Sequence, residues 1–367
     1  MTGECHQKML LLTISADKIR TKTQRMNYNT ISKGRAICLF FMLVGFVACK
    51  QETTVQQNKV SGNALGTTYN IVYLSTAIDS VRQKIDSIVF AVNHGLSTYQ
   101  GNSLICAFNT NCDTLWDDPT EAKHFANDMR HFVEMVSLSK SISSKTLGAF
   151  DPSAKLLFDE YMRAKKAEEV MSLEAVVHAL AHKGMGKVLF TEQGIPYKLD
   201  SLVQLNFNAI AKGYLVDIIG NYLSAQGVND YLVEVGGEMR LKGQNAEGVP
   251  WRVGINVPSL EAKSSDFFKV LELEDIAIAT SGNYQDFYSI DGELVGHTLD
   301  PRDGKPVIST LKSASMLHKE CAVADAYATA AMVLGLEESR KIVQQDSTLS
   351  ALFIYEKGTE LKGEFIE

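Results

Sequence analysis

Proline is scarce in this chain, with 7 among 367 residues, and glycine is moderate at 26. That excludes collagen-like and Pro-rich architectures. The one apolar run that stands out, AICLFFMLVGFVA over residues 36–48, has 13 residues and is too short to span a bilayer comfortably. There is no G-x-x-x-x-G-K-[ST] phosphate loop, no G-x-G-x-x-G fingerprint, no G-x-S-x-G elbow and no CxxC pair. P-loop, dinucleotide-fold, serine-elbow and zinc-knuckle chemistries therefore have no support. Positive charge is in deficit, 36 Lys/Arg against 43 Asp/Glu, which disfavours a nucleic-acid partner. What is present is ordinary for a folded protein: 45% hydrophobic and 22% charged residues. The length allows two or three domains.

The net charge of −7 is uneven. Residues 1–49 hold 7 basic and 2 acidic residues, leaving 29 basic and 41 acidic residues beyond. Lys33 and Arg35 precede the apolar run, the layout of a secretory signal. The run ends Phe46-Val47-Ala48-Cys49, which resembles a bacterial lipoprotein signal with Cys49 as the lipidated residue, although leucine is usual where Phe46 stands. Met26 is then a candidate start, with 1–25 an extension, 26–48 a signal peptide, 49–60 a lipidated Cys and tether, and 61–367 the folded domain. Of the remaining cysteines, Cys106, Cys112 and Cys321, the first two could pair in an oxidising periplasm. The odd count favours free thiols.

In the body, TYNIVYL (68–74) alternates as a strand, and 78–93 carries a helical apolar stripe. Helices are expected over 121–143, 152–167, 173–182 (capped by Ser172), 209–225, 323–334 and 337–345. Strands are expected over 230–235, 251–257 and 268–279. Hairpins are expected over 284–298, folded at Asp291-Gly292, and over 350–366. The mixture lacks strict βαβ alternation, so the fold class is α+β, a mixed sheet layered with helices.

Several residues carry possible chemistry. His178 and His182 are spaced i, i+4, but Ala179 stands where a zinc protease needs glutamate, so they read as surface histidines. Gly236-Gly237 after an apolar strand reads as a bulge or turn, or as a phosphate nest. His297 opens a polar loop at a strand end, structural or catalytic. Asp325 and Thr329 share a face of a helix rich in small apolar residues. Such an aspartate is paired, N-capping, or a ligand for a hard cation such as Mg²⁺.

Eight stretches in order resemble one family. They are Ala64-Leu65-Gly66-Thr67-Thr68-Tyr69, Leu96-Ser97-Thr98-Tyr99 with Asn102-Ser103, and Gly148-Ala149-Phe150-Asp151-Pro152-Ser153. Then come Asn208-Ala209-Ile210-Ala211-Lys212-Gly213-Tyr214 with Asp217, and Val235-Gly236-Gly237-Glu238. The last three are Thr280-Ser281-Gly282-Asn283-Tyr284, His297-Thr298-Leu299-Asp300-Pro301 with Gly304 and Pro306, and Ala324-Asp325-Ala326 with Thr329-Ala330. The body from about residue 62 is similar to the FAD:protein FMN transferases, also called ApbE-like. The resemblance implies a single T-fold-related catalytic domain that transfers FMN from FAD to a threonine of an acceptor protein and releases AMP.

By the same resemblance, Mg²⁺ is held by Asp325, Thr329 and the backbone carbonyl of Ala209. FAD is contacted by Leu65, Tyr99, Ala149, Phe150, Asp151, Asn206, Lys212 and Leu299. Tyr99 and Phe150 could stack on flat rings, and Lys212 could offset phosphate charge. His297 is the general base for the acceptor hydroxyl. The acceptor is an electron-transport protein with a threonine-containing motif that this chain itself lacks. The leader implies a membrane-anchored lipoprotein facing the periplasm. Two departures stand out: Asn206 replaces a usual aspartate, and Ala328 stands where some relatives have one. FAD hydrolysis to FMN and AMP, and flavin binding without turnover, remain rival readings.

Overall fold

The computed structural model describes residues 55–367 except 77, 112–121, 264, 284–286, 291–292 and 297, and only the backbone of 122–127, 287–290 and 293–296. The expected signal peptide, Cys49, Cys112 and His297 lie outside the described residues. Two strands open the fold, β1 (Gln56–Ala64) and β2 (Thr67–Ser75). Five helices follow: α1 (Val81–Leu96), α2 (Leu104–Thr110), α3 (Ala122–Lys145), α4 (Lys155–Ala167) and α5 (Leu173–Ala181). A small hairpin, β3 (Val188–Phe190) and β4 (Pro196–Lys198), leads into α6 (Ala211–Ala225). Then come β5 (Asp230–Val235), β6 (Glu238–Lys242), β7 (Trp251–Asn256), β8 (Phe267–Leu273), β9 (Ile276–Gly282), β10 (Phe287–Ile290), β11 (Glu293–Gly296) and β12 (Leu311–His318). Helix α7 (Cys321–Gln345), β13 (Ser350–Lys357) and β14 (Glu360–Ile366) close the chain.

Eight strands form one sheet in the order β1-β2-β5-β6-β9-β12-β13-β14. Every neighbouring pair is antiparallel. The period-2 alternation of side chains gives this sheet two buried faces. Tyr231, Val233, Ala277, Ala279, Ala314, Met316 and Phe353 belong to the large core shared with α6 and α7. Their alternates Leu241, Ile278, Leu317, Leu352 and Ile354 pack with Trp251, Val253, Ile255 and Leu271 of the β7–β8 ribbon. The sheet is thus a middle layer between helices and a two-stranded ribbon, a mixed α+β architecture as expected. Thr54–Glu367 forms one compact unit. No helix among the described residues is long and apolar enough to cross a membrane.

Two expectations need correction. The polar stretch 50–60 reads as a tether, yet β1 begins at Gln56 and pairs with β2 along its whole length. As an edge strand it has one solvated face, so its apolar period is weak. The stretch 268–279 reads as one strand, but the chain reverses at Glu274-Asp275, where Asp275 has φ 53. Strand β8 joins the ribbon, while β9 enters the main sheet. The two expected C-terminal helices, 323–334 and 337–345, are both present within α7 and meet at a break at Gly335, with φ 76 and ψ 178. Glycine takes such a backbone without strain. Strand β12 gave no sequence signal: it is buried along both faces and carries serines.

Candidate active site

The ends of several elements converge on a cleft of about 680 Å³. One wall comes from turns. Helix α3 ends at Leu147 (φ 52) and Gly148 (φ 78), and the Gly148 N–H donates back to Ser143 O at 2.8 Å. That left-handed cap reverses the chain. Thr146 Oγ1 accepts from the Phe150 N–H at 3.2 Å, setting the Ala149-Phe150-Asp151 segment against the cleft. Asp151 is already engaged: its Oδ1 accepts from the Ser153 N–H and hydroxyl, and its Oδ2 lies 3.3 Å from Lys183 Nζ. The Asn206 N–H donates to Pro152 O at 2.8 Å, binding the two turns together.

The loop after β11 completes this wall. Val307 N–H donates to Thr298 O and Gly304 N–H to Asp300 O. Arg302 grips the Asp300 carboxylate through both Nε and Nη2. Leu299, 1% exposed, packs with Ala154, Leu157 and Tyr161. The loop is therefore a built turn, and Thr298, Leu299 and Pro301 line the cleft.

The other wall is helical and close-packed. Gly213 in the first turn of α6 lies against α7, where an added Cβ would come 2.4 Å from Cys321 O. The Gly213 N–H donates to Asp325 Oδ2 at 3.1 Å, and Asp325 is 3% exposed. Asp325 does not cap its own helix; its Oδ2 instead takes up a first-turn N–H of α6. Asp217 of α6 caps α7 in return, accepting from the Cys321 and Ala322 N–H groups at 2.9 Å each. Asp325 thus sits inside α7, one turn before Thr329, and Thr329 and Ala209 both line the cleft.

Burial raises the Asp325 pKa, against the pull of Lys212 and the Gly213 N–H. Burial likewise raises that of Glu238, reinforced by the Asp325 charge and opposed by Lys212. Burial disfavours the Lys212 charge, but Asp325 and Glu238 outweigh it and hold that pKa above the usual lysine value. Lys212 Nζ contacts Glu238 Oε1.

Of the expected flavin contacts, Tyr99, Ala149, Phe150, Asp151, Asn206 and Leu299 line the cleft, whereas Leu65 and Lys212 do not. Tyr99 is 86% exposed and available for stacking, but Phe150 is 1% exposed and committed to the main core. Phe150 forms floor; it is not a free stacking ring. Asn206 Oδ1 accepts from the Asn208 N–H at 2.9 Å. An aspartate would make the same turn, so the amide keeps the local fold and drops only the charge. His297 directly precedes Thr298, and its own placement lies outside the described residues.

Lys183, Asp217 and the Glu238 carboxylate escaped sequence reasoning as site groups. The lysine and the cap act across long sequence separations, while Gly236-Gly237-Glu238 was visible as a motif without a role. His178 is exposed, and His182 Nδ1 lies 2.9 Å from Asp200 Oδ2. No group of three His/Cys/Asp/Glu that could hold a metal ion is found among the described residues. A cation at Asp325 would therefore need hydroxyl and carbonyl oxygens, which Thr329 and Ala209 possess.

The comparisons agree with one another. The "FAD:protein FMN transferase" of Vibrio cholerae serotype O1 is 32% identical over 299 residues, covering 80% of this chain and 86% of the relative. That of Escherichia coli K12 is 26% identical over 341 residues, covering 89% and 93%. The solved "Flavin Transferase ApbE from Vibrio cholerae" superposes with TM-score 0.70 at 29% identity, over 85% of this chain and 98% of that one. The Pseudomonas stutzeri flavinyl transferase ApbE gives TM-score 0.70 at 27% identity, over 85% and 95%. The profile described as "ApbE family" matches residues 65–353, and this chain belongs to the ApbE family.

Proposed function

We propose that this protein is an FAD:protein FMN transferase. The observation that carries the reading is a cleft of about 680 Å³ lined by Tyr99, Asp151, Asn206, Ala209 and Thr329, with the buried carboxylate of Asp325 one helical turn before Thr329. The net charge of −7 gives no overall attraction for a pyrophosphate. Asp325, Thr329 and the Ala209 carbonyl are the hard oxygen donors that would hold Mg²⁺. Bound there, Mg²⁺ would offset pyrophosphate charge and polarise the phosphoryl oxygens.

The acceptor hydroxyl, a threonine, attacks the phosphorus on the FMN side of FAD. A new P–O bond forms, the bond to the bridging oxygen breaks, and that oxygen leaves with AMP. His297 takes the hydroxyl proton; the ordinary histidine pKa suits this near neutral pH. Tyr99 supplies an open aromatic face for a ring of the dinucleotide. Asp151 and Asn206 offer hydrogen-bonding groups that fix its orientation. Cys49 as a lipid anchor and a periplasm-facing location belong to the same proposal, with an electron-transport protein as acceptor.

Purified protein incubated with FAD, Mg²⁺ and a protein bearing the acceptor motif tests this reading. Fluorescent acceptor together with AMP is the expected result. AMP with unlabelled acceptor would instead make the protein a hydrolase, and bound FAD without AMP would make it a flavin-binding protein. A His297→Ala variant that transfers normally would remove the general-base role.

A further inference from the structure

Two buried carboxylates meet the start of α6: Glu238 contacts the Lys212 ammonium, and Asp325 accepts at 3.1 Å from the N–H of Gly213, the next residue. Their positions come from different elements: Asp325 from α7, Glu238 from the start of β6, Lys212 from the first turn of α6. Lys212 Nζ is in contact with Glu238 Oε1. Its stem is confined as well. A Cβ at Gly236 would lie 3.2 Å from Lys212 Cδ and 2.7 Å from Thr67 Cγ2. Gly236 and Gly237 take φ 58 and φ 103, so only glycines turn the chain here without strain. The turn is further fixed by the Gly237 N–H donating to Glu234 Oε1 at 2.7 Å. Glu238 Oε2 is buried and has no hydrogen-bond partner. A half-satisfied buried carboxylate is unfavourable for folding alone, which points to a role for its charge.

We propose that Gly236-Gly237-Glu238 is a lysine clamp, holding the Lys212 ammonium on Glu238 and so leaving the Asp325 carboxylate open to a divalent cation. The inference rests on the reading that Asp325 holds the metal. Opposite charges attract strongly where water is excluded. With Glu238 uncharged, Asp325 is the remaining buried carboxylate acting on Lys212. A Lys212–Asp325 pair would then compete with a cation for the same oxygens. Glu238 is thus a positioning residue that works through Lys212.

The test is Mn²⁺ binding to the full-length, FAD-free protein, read as free Mn²⁺ by electron paramagnetic resonance. Wild type should bind, and Asp325→Asn should lose that binding. If wild type binds no Mn²⁺, or Asp325→Asn binds as wild type does, the metal reading fails and the clamp falls with it. Where Asp325→Asn loses the ion, Glu238→Gln should weaken binding about tenfold or more. Lys212→Met should bind at least as tightly as wild type, because the competing cation is gone. The double variant Lys212→Met/Glu238→Gln should return to within about threefold of wild type. A merely structural Glu238 predicts instead a double variant at least as weak as Glu238→Gln. That outcome, or unchanged binding by Glu238→Gln, overturns the clamp while leaving the metal reading intact. Should Glu238→Gln not fold, Lys212→Met decides by itself: weaker Mn²⁺ binding than wild type overturns the clamp.

Discussion

The two walls of the cleft are built in opposite ways. The helical wall buries its charges and brings backbones into contact, as at Gly213 against Cys321. The turn wall holds its groups by short side-chain-to-backbone bonds, as at Thr146, Asp151 and Asn206. The first tolerates no added volume. The second has room at Gly148, though not at Gly304, where a Cβ would come 2.8 Å from Val176 Cγ1, and it depends on unusual backbone angles. A charge on the first wall is held in place by distant elements, whereas a charge on the second is held mostly by its own loop.

That contrast should appear first in catalysis. Asp325→Asn should lower the transfer rate by about a hundred- to a thousandfold, the range for losing a group that stabilises transition-state charge. Asp151→Asn on the turn wall should cost about tenfold, mainly in the FAD KM. Steady-state AMP release measures both, and equal losses would erase the distinction. Packing should separate the walls next. Gly213→Ala should destabilise by about 3 kcal/mol, since backbone atoms of α7 cannot withdraw. Gly148→Ala, whose Cβ would meet only Arg302 Cγ at 3.8 Å, should cost about 1 kcal/mol through its positive φ. Urea melts of the two variants give the comparison.

Acid should act on the helical side. His131, whose Nδ1 lies 2.7 Å from Tyr214 Oη, is pushed down to about 4, by burial first and Arg130 second. The unfolded chain takes up that proton at its ordinary pKa near 6.5, before the folded chain does. Stability from this group is therefore complete above pH 6.5 and falls as pH drops toward 4. His131→Asn should flatten the melting-temperature profile in that window. The smallest effect belongs to the turn wall: Leu147, 81% exposed at φ 52, should gain up to about 1 kcal/mol on replacement by glycine.

Much of the fold was legible in the sequence. Strand β5 was read with its observed bounds, and Ser172 caps α5 by accepting from the Ala175 N–H, as its position indicated. The closing hairpin also follows its expected pattern. These features rest on contacts within a few residues, where periodicity and capping chemistry are explicit. Strand β12 was missed because burial on both faces removes alternation, and β1 because its solvated face hides it. Within the site, the ordered motifs named residues that do gather at one cleft. They did not tell floor from free surface at Phe150, nor which wall Lys212 serves.

By itself the sequence determined the family, most of the helices (not α2) and the cast of polar residues, because those depend on local spacing and residue type. Tertiary structure alone decided the partnerships. Asp217 caps a helix 104 residues away, Lys183 meets Asp151, and Lys212 rests on Glu238 beside Asp325. The reason is physical: whether a buried carboxylate caps, pairs or stays open depends on which charges and N–H groups packing brings within a few ångströms. No spacing along the chain encodes that distance.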